Sequence, residues 1–286
     1  MQKNDRKFIF LDVDGTLYSP KIGAVPEDAR KALKLARERG HRIFLCTGRS
    51  LAEASDYLNM DVDGFILGAG AMIYADGKKI HDHPIPTSDI TRIKKVIRRH
   101  GFGYCLEGSA GAYADEKGYE SLLWYFSGGA KDLNVRIAHA MKNCTYPEKF
   151  GNEESDSIYK VCTFGHRWDQ VFPDIAGELE DPYIITRSFE SKKDDFCIGE
   201  ITSSKENKAT GIHHVLDHYN ADSFDAYGFG DSENDIPMFA ACRIGVAMGN
   251  GTDAIRAKAD YVTTDILDHG IWNAFVHFGL IEGKEL

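Results

Sequence analysis

Several features that would assign the protein to a special class are scarce in its sequence. The 286 residues contain six cysteines and no Cys-x-x-Cys pair, which argues against a zinc ribbon or a disulfide framework. No apolar run approaches the ~20 residues of a membrane-spanning helix, and no signal-peptide core precedes the first apolar segment. Acidic residues outnumber basic ones by 44 to 34, which disfavours nucleic-acid and membrane partners. These absences predict a cytoplasmic protein with reduced thiols.

The first part of the chain alternates between strand and helix patterns. Short apolar runs predict strands over 8–13, 42–46 and 64–67, and helices are predicted over 26–39 and 50–58. A β-α-β-α-β order implies a parallel sheet with helices on both faces. The sequence therefore predicts an α/β protein with a Rossmann-like, doubly wound core, in which ligands bind beyond the carboxyl ends of the strands.

The pattern changes after Ala71. A hairpin with an Asp76-Gly77 turn is predicted first, and residues 83–190 then have an α+β pattern. The doubly wound pattern resumes with a strand predicted over 196–201. We therefore expect a core made of residues 1–82 and 191–286, with residues 83–190 inserted as a second domain.

Two carboxylates stand at the end of the first predicted strand, in the sequence Asp12-Val13-Asp14-Gly15. Strand side chains alternate, so both acids point to one side, and Gly15 permits a sharp turn. Two neighbouring acids are costly unless a cation accompanies them. A divalent metal and phosphoryl transfer satisfy that need, with one Asp as nucleophile and the other as proton carrier. A polar turn at the end of a strand is the simpler alternative.

Two further segments suit phosphate binding. Thr47-Gly48-Arg49 ends the second predicted strand, where a hydroxyl and free backbone N–H groups form a suitable cradle, although Thr-Gly is also an ordinary turn. Lys208 opens a predicted helix and would neutralise both a phosphate and a carboxylate. Lys205 competes for that role, and either lysine is also compatible with a solvated helix start.

A third acidic segment follows a later apolar strand, in Gly228-Phe229-Gly230-Asp231-Ser232-Glu233-Asn234-Asp235. Asp231 stands at the strand end, and Asp235 lies one helical turn further on. Carboxylate oxygens are the ligands that Mg²⁺ prefers, so these residues complete the metal set that the first acidic pair needs. Asp231 as a helix N-cap is the structural alternative, and the two roles are compatible.

The order of these segments resembles the haloacid dehalogenase superfamily, whose four motifs follow one another in the same way. The insertion between the second and third motifs resembles the C2B-type cap of the Cof-type (subclass IIB) phosphatases. The residues that match the four motifs are Asp12, Asp14, Thr47, Lys208, Asp231 and Asp235. The resemblance covers essentially the whole chain, although in the insertion it depends on placement and size alone.

The resemblance implies a role for each matching residue. Asp12 would attack phosphorus and form an aspartyl-phosphate, and Asp14 would protonate the leaving group and then activate water. The phosphate group would be held by Thr47, Gly48, Arg49, Lys208 and Asn234. The metal would be held by Asp12, Asp14 through its backbone carbonyl, Asp231 and Asp235. The family's Asn-Lys-Gly-Thr run favours Lys208 over Lys205, because Asn207-Lys208-Ala209-Thr210 matches it.

Two departures from the family pattern stand out. Ala69 replaces the Asn that often follows the third strand, and Ala209 replaces the usual Gly after the lysine. Neither change touches the nucleophile or the metal set, so we expect the chemistry to survive.

These observations predict a Mg²⁺-dependent phosphatase that hydrolyses small phosphomonoesters, with sugar phosphates as the favoured class. The alternatives are a phosphosugar mutase and an inactive protein that binds ligands for regulation. The expected partner is a small phosphorylated substrate, with no nucleic acid and no membrane.

Overall fold

A computed structural model of the protein describes residues 6–54, 57–126, 144–145, 153–179, 181–191 and 195–283. The chain divides into two compact units. The core unit comprises Met1–Gly48, Asn59–Asp82 and Asn207–Leu286. The insert unit comprises Arg49–Leu58 and His83–Glu206.

The strands of the described residues, in chain order, are β1 (Phe8–Leu11), β2 (Arg42–Cys46), β3 (Gly64–Leu67), β4 (Met72–Ala75), β5 (Lys78–Asp82), β6 (Gly103–Gly108), β7 (Ala112–Ala114), β8 (Cys144–Thr145), β9 (Ile158–His166), β10 (Tyr183–Ser191), β11 (Phe196–Ser203), β12 (Ala226–Gly230), β13 (Ile244–Ala247) and β14 (Tyr261–Val262). The α-helices are α1 (Glu27–Glu38), α2 (Thr87–Arg99), α3 (Glu116–Phe126), α4 (Trp168–Leu179), α5 (Lys208–His218), α6 (Ile236–Ala241), α7 (Asp253–Arg256) and α8 (Gly270–His277).

The core unit contains an eight-stranded sheet in the order β14-β13-β12-β1-β2-β3-β4-β5. The six strands from β14 to β3 are parallel, and the β4–β5 hairpin adds two antiparallel strands at one edge. Every residue of β1 is buried, as expected for the central strand of a sheet covered on both faces. The predicted α/β class with a parallel core sheet is confirmed.

A capping motif begins helix α5, and a glycine lets this helix pack closely against the core sheet. Asn207 caps it by accepting hydrogen bonds from the N–H groups of Ala209 and Thr210, and the Thr210 hydroxyl completes a capping box. A Cβ on Gly211 would lie 2.6 Å from the Ile66 methyl, so glycine lets the helix approach β3 closely. This packing fixes the first residue of the helix, Lys208, at the carboxyl edge of the sheet.

The insert unit contains a six-stranded sheet in the order β10-β11-β9-β6-β7-β8, antiparallel except for the β7–β8 pair. Helices α2 and α4 pack together and against this sheet, and α3 packs on β6, β7 and β9. Neighbouring residues such as Cys105 and Leu106 belong to separate apolar clusters, because successive side chains on a strand point to opposite faces.

The structure corrects the predicted start of the second core segment. Residues 196–203 form β11, which pairs with β9 and β10 in the insert unit's sheet and not in the core sheet. The boundary in the chain therefore lies between residues 206 and 207, where the sequence pattern predicted it between 190 and 191. Residues 49–58, predicted within the core, also belong to the insert unit. An apolar strand pattern does not specify which sheet the strand will join.

The helix predicted over 50–58 is wrong, because its described residues form turns. Ser50 and Glu53 exchange two side chain–backbone hydrogen bonds, but only a single turn follows. Pro173 does not interrupt α4, whose buried residues Trp168, Ile175 and Leu179 hold it against the sheet. Within the segment predicted as α+β, residues 127–143 and 146–152 lie outside the described residues. None of the helices described is long and apolar enough to cross a membrane.

Candidate active site

Three carboxylates from two loops meet at the carboxyl edge of the core sheet. Asp12 follows β1, and Asp231 and Asp235 follow the neighbouring parallel strand β12. The Asp12 N–H donates to the Phe229 carbonyl at 2.9 Å, which continues the strand pairing to the edge. One carboxylate oxygen from each of the three residues lies within 4.8 Å of those of the other two. The structure thus brings Asp12 together with two aspartates that lie 219 and 223 positions later in the sequence.

Gly15 is required by the geometry of this edge. Its φ is +88°, a left-handed conformation that glycine adopts without cost. A Cβ at this position would lie 2.3 Å from the Asp231 Oδ2 atom. Any side chain would therefore displace the Asp231 carboxylate, which explains the glycine after the two aspartates.

Lys208 is buried and bridges two of the carboxylates. Its Nζ lies 2.6 Å from Asp12 Oδ1 and 2.5 Å from Asp235 Oδ1. Burial lowers the pKa of Lys208, but Asp12 and Asp235 outweigh that effect and raise the pKa above its usual value. The lysine therefore stays charged. Lys205, the competing residue, is exposed.

The carboxylates carry more negative charge than one lysine neutralises. Burial raises the pKa of Asp12 to about 8, with Lys208 opposing the shift and Asp235 and Asp231 adding to it. Burial and Asp235 raise the pKa of Asp231 to about 6, and the nearby Asp14 contributes. A second cation would offset the repulsion between these carboxylates. Clustered carboxylate oxygens fit Mg²⁺, which prefers oxygen ligands.

Asp235 has a structural role besides its bond to Lys208. It is fully buried, and its Oδ2 accepts hydrogen bonds from the N–H groups of Asp231 at 3.0 Å and Ser232 at 3.2 Å. Ser232, not Asp231, is the N-cap of the short 3₁₀ turn over Glu233–Asp235. The N-cap alternative for Asp231 is therefore wrong, and its carboxylate is available to the cluster.

Asp14 and Thr47 lie near the same edge. Asp14 is half-buried and acts electrostatically on Asp231. Thr47 is buried after β2, where its N–H donates to the Ile66 carbonyl at 2.9 Å and its carbonyl accepts from Ala69 at 3.0 Å. A Cβ on Gly48 would meet no atom within 4 Å. The backbone at Gly48 is therefore approachable, as phosphate binding needs.

The structure does not place the other two predicted phosphate ligands in this cluster. Arg49 belongs to the insert unit, where its guanidinium lies 5.3 Å from the centre of the Tyr57 ring. Asn234 is exposed, and its Oδ1 accepts from the Ser232 hydroxyl at 2.8 Å. Their roles stay predictions.

Sequence reasoning missed a second group of charged residues, in the insert unit. Lys160 Nζ lies 2.8 Å from Glu107 Oε2 and 3.4 Å from Glu200 Oε1. Glu107 and Lys160 face each other on β6 and β9, and Glu53 shares a hydrogen bond with Glu107. We call these four residues the insert cluster. The signal in the sequence was a charged residue within each of three apolar strands, Glu107 in β6, Lys160 in β9 and Glu200 in β11.

The carboxyl groups of the insert cluster differ in charge state. Burial, together with the neighbouring Glu53, raises the pKa of Glu107 well above its usual value. Burial also acts to raise the pKa of Glu53, but Lys160 and hydrogen bonds outweigh it and lower that pKa. These opposite shifts favour a protonated Glu107 beside an ionised Glu53.

Comparison with known proteins identifies the family. Residues 9–275 match the model of the haloacid dehalogenase-like hydrolases. The chain belongs to this family. The family membership and the hydrolase class predicted from the motifs are therefore confirmed, and the matched range spans both units.

Individual relatives agree with this placement. The chain is 26% identical over 288 residues to the 5-amino-6-(5-phospho-D-ribitylamino)uracil phosphatase YwtE of Bacillus subtilis, covering 93% of this chain and 95% of that protein. A solved phosphatase of the superfamily, BT1666 from Bacteroides thetaiotaomicron, is 25% identical with a TM-score of 0.78, covering 98% and 97% of the two chains. The subclass IIB sugar phosphatase BT4131 shares the fold, with a TM-score of 0.74 at 23% identity, covering 96% of this chain and all of that one.

Proposed function

We propose that the protein is a Mg²⁺-dependent phosphatase that hydrolyses small phosphomonoesters through an aspartyl-phosphate on Asp12. The observation that carries the proposal is the position of Asp12. Its carboxylate is buried beside a charged lysine and two further carboxylates at the ligand-binding edge of an α/β sheet. This arrangement suits a nucleophile that must approach a phosphate dianion.

In the first half-reaction, an Asp12 carboxylate oxygen forms a bond to phosphorus and the bond from phosphorus to the leaving oxygen breaks. Asp14 supplies the proton that the leaving alkoxide needs. In the second half-reaction, Asp14 removes a proton from water, whose oxygen attacks phosphorus. The acyl-phosphate bond breaks, and inorganic phosphate and the Asp12 carboxylate are released.

The remaining residues bind and orient the phosphoryl group. Lys208 offsets the negative charge of its oxygens and of Asp12, and Thr47 and the backbone at Gly48 donate hydrogen bonds to them. Asp12, Asp231, Asp235 and the Asp14 carbonyl would hold Mg²⁺, which supplies charge neutralisation and Lewis acidity when bound. The assignment of these ligands rests on the acidic cluster and on the family resemblance.

We further propose a phosphorylated sugar or sugar alcohol as the substrate class, with the insert unit as the cap that recognises the part beyond the phosphate. The support is the printed names of the relatives, one a phosphatase of a phosphoribityl compound and one a sugar phosphatase. The need for a general acid at Asp14 agrees, because an alkoxide is a poor leaving group.

The test is phosphate release from p-nitrophenyl phosphate, with and without Mg²⁺, followed by a panel of sugar phosphates. Asp12→Asn should lower turnover at least about 10³-fold while the fold is retained. Asp253→Asn is the matched control, because that carboxylate is 95% exposed. Activity near the wild-type level in Asp12→Asn would remove Asp12 from its proposed role. Formation of a sugar-phosphate isomer without free phosphate would instead support a mutase.

A further inference from the structure

The side chain of Asn250 joins two backbone segments of the core unit. Its Nδ2 donates a hydrogen bond to the Gly15 carbonyl at 2.7 Å, and its Oδ1 accepts one from the Ile266 N–H at 2.9 Å. Both ends of the amide thus contact backbone groups. Asn250 lies 235 residues from Gly15 in sequence. It has no role in the reaction proposed above.

The bond to Gly15 matters because of what surrounds that residue. The Gly15 N–H donates to the Tyr18 carbonyl at 2.9 Å, which orients the peptide plane that also contains the Asp14 carbonyl. The Asn250 amide holds the next peptide plane. Since glycine has little conformational preference of its own, these two bonds select its conformation. They therefore orient the backbone that directly follows Asp14.

The segment that carries Asn250 also contacts the second acidic loop. The Met248 N–H donates to the Gly230 carbonyl, and the Thr252 N–H donates to the Asp231 carbonyl, both at 2.9 Å. Residues 248–252 are therefore hydrogen-bonded to both loops that supply the carboxylates. A fixed separation of these loops is what a metal with strict octahedral geometry needs.

We propose that Asn250 is a positioning residue that sets the Asp14–Gly15 backbone against the Asp231 loop. The inference rests on the proposed function, since the geometry it fixes is that of the nucleophile, the proton carrier and the metal ligands. Asn250 would act through Gly15 and would not touch the reacting atoms.

Two variants test this role. Asn250→Ala removes both hydrogen bonds, whereas Asn250→Asp keeps the acceptor for Ile266 and loses the donor to Gly15. We expect kcat to fall about 10-fold or more in both, because small misplacements of catalytic groups are costly. For each substrate, whatever its leaving group, the KM of the variants should differ less than threefold from that of the wild type. Asn273→Ala is the control, because the Asn273 amide also makes two hydrogen bonds, donating to the Thr264 hydroxyl and to the Asp268 carbonyl.

A second readout uses Mg²⁺ alone. The midpoint of the Mg²⁺-dependent rise in melting temperature should shift at least threefold to higher concentration in Asn250→Ala, and stay unchanged in Asn273→Ala. Wild-type kcat and Mg²⁺ response in Asn250→Ala would overturn the inference and leave the proposed function intact. A fall in kcat confined to Asn250→Ala, with Asn250→Asp unaffected, would assign the effect to Ile266 and also overturn it. A rise in KM with unchanged kcat in the Asn250 variants would also overturn the inference. A wild-type protein that neither releases phosphate nor responds to Mg²⁺ would overturn the proposed function itself.

Discussion

Among the described residues, each unit buries one lysine beside carboxylates, but the two units hold it in different ways. In the core unit, Lys208 contacts Asp12 and Asp235, whose short side chains stand on loops at strand ends. In the insert unit, Lys160 contacts Glu107 and Glu200, whose longer side chains stand on the strands themselves. The first group is fixed by backbone N–H donors and glycines. The second is fixed by pairing between neighbouring strands.

The two clusters also balance their charge differently. In the core unit the carboxylates raise one another's pKa, and the arrangement leaves negative charge for a second cation. In the insert cluster the pKa of Glu107 is raised and that of Glu53 is lowered, which favours removal of the excess charge by one proton on this pair. A buried lysine with carboxylates is therefore not by itself a catalytic signature. Two features distinguish the clusters. One is the kind of backbone that carries the carboxylates, and the other is whether the carboxylates need a second cation.

Replacing each lysine by methionine should give the largest difference in behaviour between the two clusters. Lys208→Met should lower kcat/KM more than about 100-fold, because a phosphate-binding charge is lost. Both variants should lose about 3–5 kcal/mol of unfolding free energy, since each leaves buried carboxylates without a partner. Urea denaturation should show that Mg²⁺ restores part of the loss in Lys208→Met and none in Lys160→Met. Equal recovery in both variants would contradict the distinction drawn here.

The stabilisation of the protein by Mg²⁺ should increase with pH, because the carboxylates of the core site must ionise to bind the metal. The pKa values of Asp231, about 6, and Asp12, about 8, lie above the unfolded value of 3.8. Their protonated forms favour the metal-free fold, and that contribution is lost as pH rises through these values. Metal binding needs the ionised forms. The rise in melting temperature caused by Mg²⁺ should therefore grow from pH 5 to pH 8, and Asp231→Asn should reduce it. A rise that is the same at both pH values would count against a carboxylate metal site.

Glu107→Gln tests the shared proton of the insert cluster. The folded pKa of Glu107 lies above its unfolded value, so its stabilising contribution is present at low pH and is lost as pH rises through the folded pKa. An amide keeps the donor to Glu53 and removes this loss. The unfolding free energy of the variant should exceed that of the wild type by about 1 kcal/mol at pH 8, and by less at pH 5. Glu53→Gln, which removes the ionised partner, should destabilise. The reverse order would place the proton on Glu53.

The smallest effect concerns the backbone at the core edge. Ala69 has φ +54° and ψ +33°, a left-handed conformation that costs a non-glycine residue about 1–2 kcal/mol. Ala69→Gly should therefore raise the unfolding free energy by up to about 1 kcal/mol after the entropy of the unfolded glycine is included. Ala71→Gly is the control, because Ala71 is right-handed and the change should destabilise. Destabilisation by both would show that the turn at Ala69 is unstrained.

The core site was predictable from sequence because its residues belong to short motifs at strand ends. Asp12, Asp14 and Asp231 each follow an apolar run, and parallel strands bring such positions to one edge. The insert cluster was not predictable, since its residues share no motif: Glu107, Lys160 and Glu200 meet through strand pairing, and Glu53 joins them from a turn. The sheet joined by β11 was missed for the same reason. The contact between Asn250 and Gly15 also depends on a tertiary arrangement that no local pattern encodes.

Borohydride trapping during turnover tests the central claim most directly, because hydride reduces an aspartyl-phosphate to homoserine with loss of phosphate. Protein mixed with Mg²⁺ and a substrate that it hydrolyses, then treated with borohydride and digested, should contain homoserine at position 12 by peptide mass spectrometry. Treatment without substrate should leave aspartate there. Homoserine at another aspartate, or none at any position during active turnover, would contradict nucleophilic catalysis by Asp12.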